Sequence, residues 1–392
     1  MKFIKIIFAV FLTTKGFALD LKERDLSIVL DASLKPKIKM ESPFFQDLWF
    51  KEIAYGKLRE SDVAEAYISE SPQSDWQLIS VRIAPCVPIV SSHAFNPETF
   101  CWPQVRTVWG PVIEKFRATW GNVQDYSDDR AIHGLYWVDP SFLFPNLGEK
   151  TSIFKKILNI NKTKPSNLKS LDANLKKDWL DMRSQTLNLF LEDVLNLRDK
   201  NIPPQSYEGF GLRPELYNAK SNKSFSSRFS DFLKKYTPKT LLTELTTFSL
   251  PEGRDPAGID MWLFAAFDGI NGQIKQKKLS VHDRYTGKVI DAGTFIQSVT
   301  MTTDDPSFYK NSNPQIRNQI FLYPKDQSKI KNLLFSEKAL LVGETSCSTC
   351  HKFNDLKFNF HNFSKFEDRP TTISKLLKNE VKKDLNWLIL LK

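Results

Sequence analysis

The stretch 76-WQLISVRIAPC-86 sets the character of the chain. Its branched and aromatic side chains form a short run that breaks on a proline, which is the composition of a strand. Two similar runs follow, 104-QVRTVWGPVI-113 and 131-AIHGLYWVD-139, with segments bearing Pro, Gly and Asn between them. Together they predict a β-rich unit over residues 45–145. Strand character returns in DMWLFAAFDG, KKLSVHDRYTGKVID and TFIQSVTM, which predicts a second β unit over 250–325. Within it RYTGK reads as a hairpin turn carrying a glycine. The two blocks are expected either as an internal repeat or as parts of one sheet system.

Helical periodicity separates them. Leu171, Leu175, Trp179, Met182, Leu189, Phe190 and Leu197 fall on one face at helical spacing, with Asp193 as an intruder. The prolines of NIPP lie just beyond this helix, and a second helix is expected near 225–236. Residues 155–170, rich in lysine and asparagine, read as a connector. At the far end TISKLLKNEVKKDLNWLILLK predicts a terminal helix with Ile373, Leu377, Val381, Leu385 and Leu388 on one stripe, interrupted by Asp384. The fold class expected is α+β: a β-rich body with helical insertions over 19–335, and a small all-α C-terminal module over 336–392.

Residues 1–18, MKFIKIIFAVFLTTKGFA, carry Lys2 and Lys5, a short apolar run from Ile6 to Leu12, and a small-x-small ending at Gly16-Phe17-Ala18. That is the pattern of a cleaved signal peptide, and the apolar run is too short to span a bilayer. A periplasmic or secreted protein with no membrane span in the mature chain is expected. Removal of Lys2, Lys5 and Lys15, with no acids lost, takes the net charge from +10 to +7. The basic residues are dispersed, without the dense stripe and recognisable module of a nucleic-acid binder.

The four cysteines form two pairs in the sequence. Cys86 and Cys101, close in sequence and destined for an oxidising compartment, are expected to form a disulfide. Cys347 and Cys350 lie in 346-SCSTCHKFNDLKFNFHNFS-364, with His351 directly after the second. Two thiols at this spacing form thioethers to the two vinyl groups of a haem, and the adjoining imidazole reaches the iron. A zinc corner would need two further ligands, from among Cys86, His93 and Cys101. A dithiol oxidoreductase would need a βαβ unit after the motif, for which little chain remains. A purely structural short disulfide is the third alternative.

The residues Cys347 to His351, with the closing helix VKKDLNWLILLK, resemble the class I c-type cytochromes. The resemblance covers the last part of the chain only. It implies one covalent haem c, attached through Cys347 and Cys350, with His351 as the proximal iron ligand. It further implies electron transfer to a redox protein partner. A class I domain usually places a methionine before its last helix, and this chain has none after Met301. His361 is the nearest candidate for the sixth ligand, with Met301, Met261 and His282 as others. A bis-histidine iron would sit at a lower potential than a His/Met one. A haem enzyme or ligand sensor with an open iron position is the alternative function, as is a non-redox surface-binding protein whose tail is structural.

Overall fold

The computed structural model describes residues 20–30, 76–89, 100–111, 116–117, 125–126, 131–163, 172–249, 263–270, 272–276, 280–282, 289–291, 296–297, 301–302, 373 and 375–390. Eight of the described strands form one sheet: β1 (Ser27–Val29), β2 (Trp76–Pro88), β3 (Cys101–Pro111), β4 (Ala131–Trp137), β5 (Leu242–Ser249), β6 (Leu263–Ile270), β7 (Gln273–Gln276) and β8 (Ile296–Gln297). Their order is β1-β2-β3-β4-β5-β6-β8, with β7 also pairing β6, and every pairing is antiparallel. Strands from both β-rich blocks therefore join one sheet, which continues from the first block to the second where β4 pairs β5.

Register shows why these runs fold this way. One rung across six strands reads Ile28, Val81, Thr107, Gly134, Leu245, Phe267, and every member is buried. One residue along, the next rung reads Ser27, Arg82, Arg106, Leu135, Glu244, Asp268 and ends on Lys275 of β7. Successive residues of a strand point to opposite faces, so the sheet has an apolar face and a charge-bearing one. Gly134 is needed on the apolar face: a Cβ there would lie 2.9 Å from both Thr107 Oγ1 and the Tyr136 ring.

Between β4 and β5 the chain builds helices α2 (Pro140–Leu143), α3 (Ser152–Thr163), α4 (Ala173–Leu195) and α5 (Ala219–Tyr236) after a short N-terminal α1 (Glu23–Leu26). Asp172 and Asn218 cap α4 and α5, accepting bonds from the Asn174 and Lys220 backbone amides. Leu187, Phe190, Leu191 and Val194 of α4 and Phe225, Phe229 and Phe232 of α5 share one core with Val81, Val105 and Leu245. Leu189, expected on the buried face of α4, is only half-buried, while Leu187, Leu191 and Val194 are buried. The intruder Asp193 turns out to join helices: it accepts from Lys235 Nζ and from Tyr236 Oη of α5, each at 2.6 Å.

Much of the predicted connector is helical. Lysine and asparagine content pointed to a linker, but Ile153, Phe154 and Ile157 recur at one-turn spacing and are buried. They close a second core around Trp102, whose ring centroid lies 4.7 Å from that of Phe154 and 4.5 Å from that of Trp179. Burial of these rings outweighs the weak local propensity of the polar residues.

The N-terminal segment is held by a buried ionic knot. Arg198 donates to both oxygens of Asp25, through Nε at 3.0 Å and Nη2 at 2.5 Å. Arg213, fully buried, donates from Nε and Nη2 to Glu215 at 3.1 and 3.0 Å and lies 5.0 Å from the ring centres of Tyr207 and Phe225. Glu215 also accepts from Tyr207 Oη at 2.7 Å and from the Asp199 amide at 3.2 Å.

Away from the main sheet, Ser280–His282 pairs antiparallel with Val289–Asp291 and with Met301–Thr302. The hairpin expected around RYTGK is present in its flanking strands, the turn itself lying outside the described residues. Phe116–Arg117 pairs with Asp125–Tyr126. The last helix, α6 (Lys375–Leu390), agrees with the terminal helix expected.

Candidate functional site

Cys347, Cys350, His351 and His361 lie outside the described residues, as does Met261. The donor set itself, two thiols and an imidazole in C-x-x-C-H order, has the chemistry that covalent haem requires. What the structure describes is the ground on which the chain resumes after this segment. Ile373 is buried beside Val29, and α6 follows immediately.

The seating of α6 combines apolar and ionic contacts. Val381 and Trp387 are buried in the main core, with Leu377, Leu385 and Leu388 packed against it. The interrupting Asp384 is an ion-pair partner: it accepts from Arg82 of β2. One turn earlier Glu380 pairs with Arg106 of β3 at 3.2 Å and lies 3.9 Å from Arg82 Nε. Arg82 also donates to the carbonyls of Leu26 and Ile83, which ties it to backbone on both sides. The helix therefore meets the charged rung of the sheet with two carboxylates against two guanidinium groups. Burial, opposed by Arg82 and assisted by Glu380, pushes the Asp384 carboxyl up to about 6.

Cys86 and Cys101 form a disulfide linking β2 to β3, with their Cα atoms 4.9 Å apart. The cysteines are not opposite each other in register, since Pro88 faces Cys101. A bulge between Ala84 and Val87 holds Pro85 and Cys86 out of the ladder and turns Cys86 toward its partner. Cys101 is fully buried and Cys86 half-buried. Arg183 of α4 donates from Nη1 to Cys101 Sγ at 3.5 Å, and its guanidinium carbon lies 5.7 Å from the ring centre of Trp387 on α6. The disulfide, α4 and α6 thus meet at one side chain.

The remaining described candidates, His282 and Met301, sit on strands, as does His133, which was not one of them. His133 of β4 faces Val108 and Thr246 in register, and burial together with Arg106 lowers it to about 4, so it is neutral at ordinary pH. His282 and Met301 lie on paired strands outside the main sheet. Among the described residues no group of three or more His, Cys, Asp or Glu is placed to hold a metal ion. No described helix is long and apolar enough to cross a membrane.

Arg82, Arg106 and Arg183 escaped the sequence reading. The available signal was the pair of acids breaking otherwise apolar stripes, Asp193 and Asp384, each of which proves to anchor its helix. No protein-family model matches the chain, and neither curated proteins nor solved structures show a match to it.

Proposed function

We propose that the chain is an exported c-type haem protein, periplasmic or secreted, that transfers single electrons to and from a redox protein partner. The observation that carries this reading is the Cys347-Ser348-Thr349-Cys350-His351 sequence. In it Cys347 and Cys350 are the attachment residues, His351 the proximal ligand and His361 the candidate sixth ligand, within an all-α segment over 336–392. Haem c supplies reversible one-electron chemistry at its iron. The chain's part is to attach the group, fix the proximal imidazole and present a docking surface.

Three features support the reading. The signal-like start and the Cys86–Cys101 disulfide both suit an oxidising compartment, which is where thioether attachment follows export. Lys382 and Lys383 are exposed on α6, about thirty residues beyond the motif, and suit weak docking to an acidic partner.

The test is expression with a haem-maturation system, followed by a haem stain on a denaturing gel and a reduced-minus-oxidised spectrum. The exported protein is expected to retain covalent haem and the Cys350→Ala variant to lose it. Absence of covalent haem from the wild-type protein would end the proposal. Carbon monoxide binding to the reduced form distinguishes a carrier from an enzyme or sensor, because a six-coordinate carrier binds it slowly or not at all. His361→Ala should change the low-spin spectrum; an unchanged spectrum removes His361 as a ligand.

A further inference from the structure

The Cys86–Cys101 disulfide has two unlike ends. Cys101 is fully buried on β3, whereas Cys86 sits half-buried in the β2 bulge. Arg183 approaches only one of the two in the contacts described, donating from Nη1 to Cys101 Sγ at 3.5 Å. Thiol–disulfide exchange is sensitive to both asymmetries. A thiolate attacks the sulfur it can reach in line, and the sulfur whose thiolate is better stabilised leaves faster. A neighbouring guanidinium stabilises a thiolate.

We propose that this disulfide is a polarised exchange site: Cys86 is the point of attack for an external thiol, and Arg183 prepares Cys101 to leave. In the first step a thiolate forms a bond to Cys86 Sγ, the Cys86–Cys101 bond breaks, and its electron pair stays on Cys101 as a thiolate beside Arg183. The product is a mixed disulfide on Cys86. A second thiolate attacks the external sulfur, releases Cys86 as a thiolate and yields the oxidised reductant, for a net two-electron reduction of the pair. The ligand class is a small thiol or a protein dithiol. The same guanidinium lies over Trp387, so the exchange site adjoins the seat of α6. The site is independent of Cys347 and Cys350 and stands whether or not haem is attached there.

The test uses the full exported chain and glutathione as the probe. Brief exposure to excess reduced glutathione, acid quenching, alkylation and peptide mass spectrometry should place glutathione on Cys86 and the alkyl group on Cys101. Arg183→Gln should slow the first step by about tenfold, with Arg183→Lys recovering most of the rate. In guanidinium chloride the wild type and both variants should react at one common rate, which separates the folded-state effect from any handling difference. Glutathione on Cys101 or shared equally between the two cysteines, no adduct on the folded protein, or an Arg183→Gln rate equal to wild type in the folded state would each overturn the proposal.

Discussion

Two ionic clusters, one anchoring the segment around Asp25 and the other the last helix, use the same ingredients to opposite electrostatic effect. Near the N-terminus Asp25 and Glu215 face Arg198 and Arg213; near the C-terminus Glu380 and Asp384 face Arg82 and Arg106. Each sets two carboxylates against two guanidinium groups. Burial opposes ionisation of Glu215, yet pairing with Arg213 and the bond from Tyr207 hold its carboxyl below the usual range. At Asp384 burial prevails, and the carboxyl titrates near 6 despite Arg82. The difference lies in the hydrogen bonds available to the charged form. Glu215 accepts from Arg213, Tyr207 and a backbone amide, whereas the contacts described for Asp384 come from Arg82 alone. In the N-terminal cluster the carboxylates are well supplied with donors, although Arg213 Nη1 is buried without a hydrogen bond; in the C-terminal one Arg82 Nε and Glu380 Oε2 are so placed, and a helix's apolar face holds the contact together.

The comparison breaks most directly at Arg213. Arg213→Met leaves Asp25 with one partner fewer and Glu215 buried without its main one, and should cost about 3–5 kcal/mol in urea unfolding. Arg82→Met should cost less, about 2 kcal/mol, because Arg106 still faces Glu380 and Asp384 can take up a proton. Its effect should appear as loss of protection from hydrogen exchange in α6 before the rest of the chain. Asp193→Ala removes two bonds at a half-exposed site between α4 and α5 and should cost about 1 kcal/mol, read as a lowered thermal midpoint. A loss at Arg82 equal to that at Arg213 would mean that the two clusters are energetically alike.

The pH dependence of stability is the most diagnostic difference between the clusters. Glu215 binds its proton less readily when folded, so its contribution is fully present above the unfolded carboxyl range and is lost as pH falls below that range through the lower folded value. Asp384 has the opposite sign. Its folded value near 6 lies above the ordinary aspartate value of 3.8, so the folded state holds the extra proton between them. Stability from this group therefore rises as pH falls from about 6 toward 4, with a slope of at most about 1.4 kcal/mol per pH unit. Asp384→Asn, which mimics the protonated carboxyl, should raise stability at pH 7 and remove that slope, leaving only the acid-side loss to which Glu215 contributes. A wild-type profile unchanged by Asp384→Asn would show that the C-terminal cluster stays ionised throughout.

Local pattern carried much of the fold. Strand-like runs at 76–86, 104–113 and 131–139 are strands β2, β3 and β4, the helices around 173–195 and 375–390 follow their stripes, and the cysteines fifteen apart are bridged. These are features of period and proximity, set by residues within one element or one hairpin. The connector at 155–170 was misread where composition was weighed over spacing, since Ile153, Phe154 and Ile157 matter only once Trp102 and Trp179 supply a surface to bury them. The proposed haem site rests on the spacing of Cys347, Cys350 and His351 alone, since a porphyrin would dictate that spacing without reference to the body and these residues lie outside the described ones.

Sequence alone thus determined the α+β class, the neighbour disulfide, the terminal helix and the C-x-x-C-H spacing on which the proposal rests, because each depends on contacts or spacings of a few residues. Only the tertiary structure joins the two β blocks into one sheet, sets Arg82 and Arg106 side by side to receive α6, and brings Arg183 to Cys101. The contacts of Arg183 with Cys101 and of Arg82 with Asp384 span 82 and 302 residues of chain. Nothing local encodes them, and a lone acid on an apolar stripe gains its meaning only when its partner arrives from the far end of the chain.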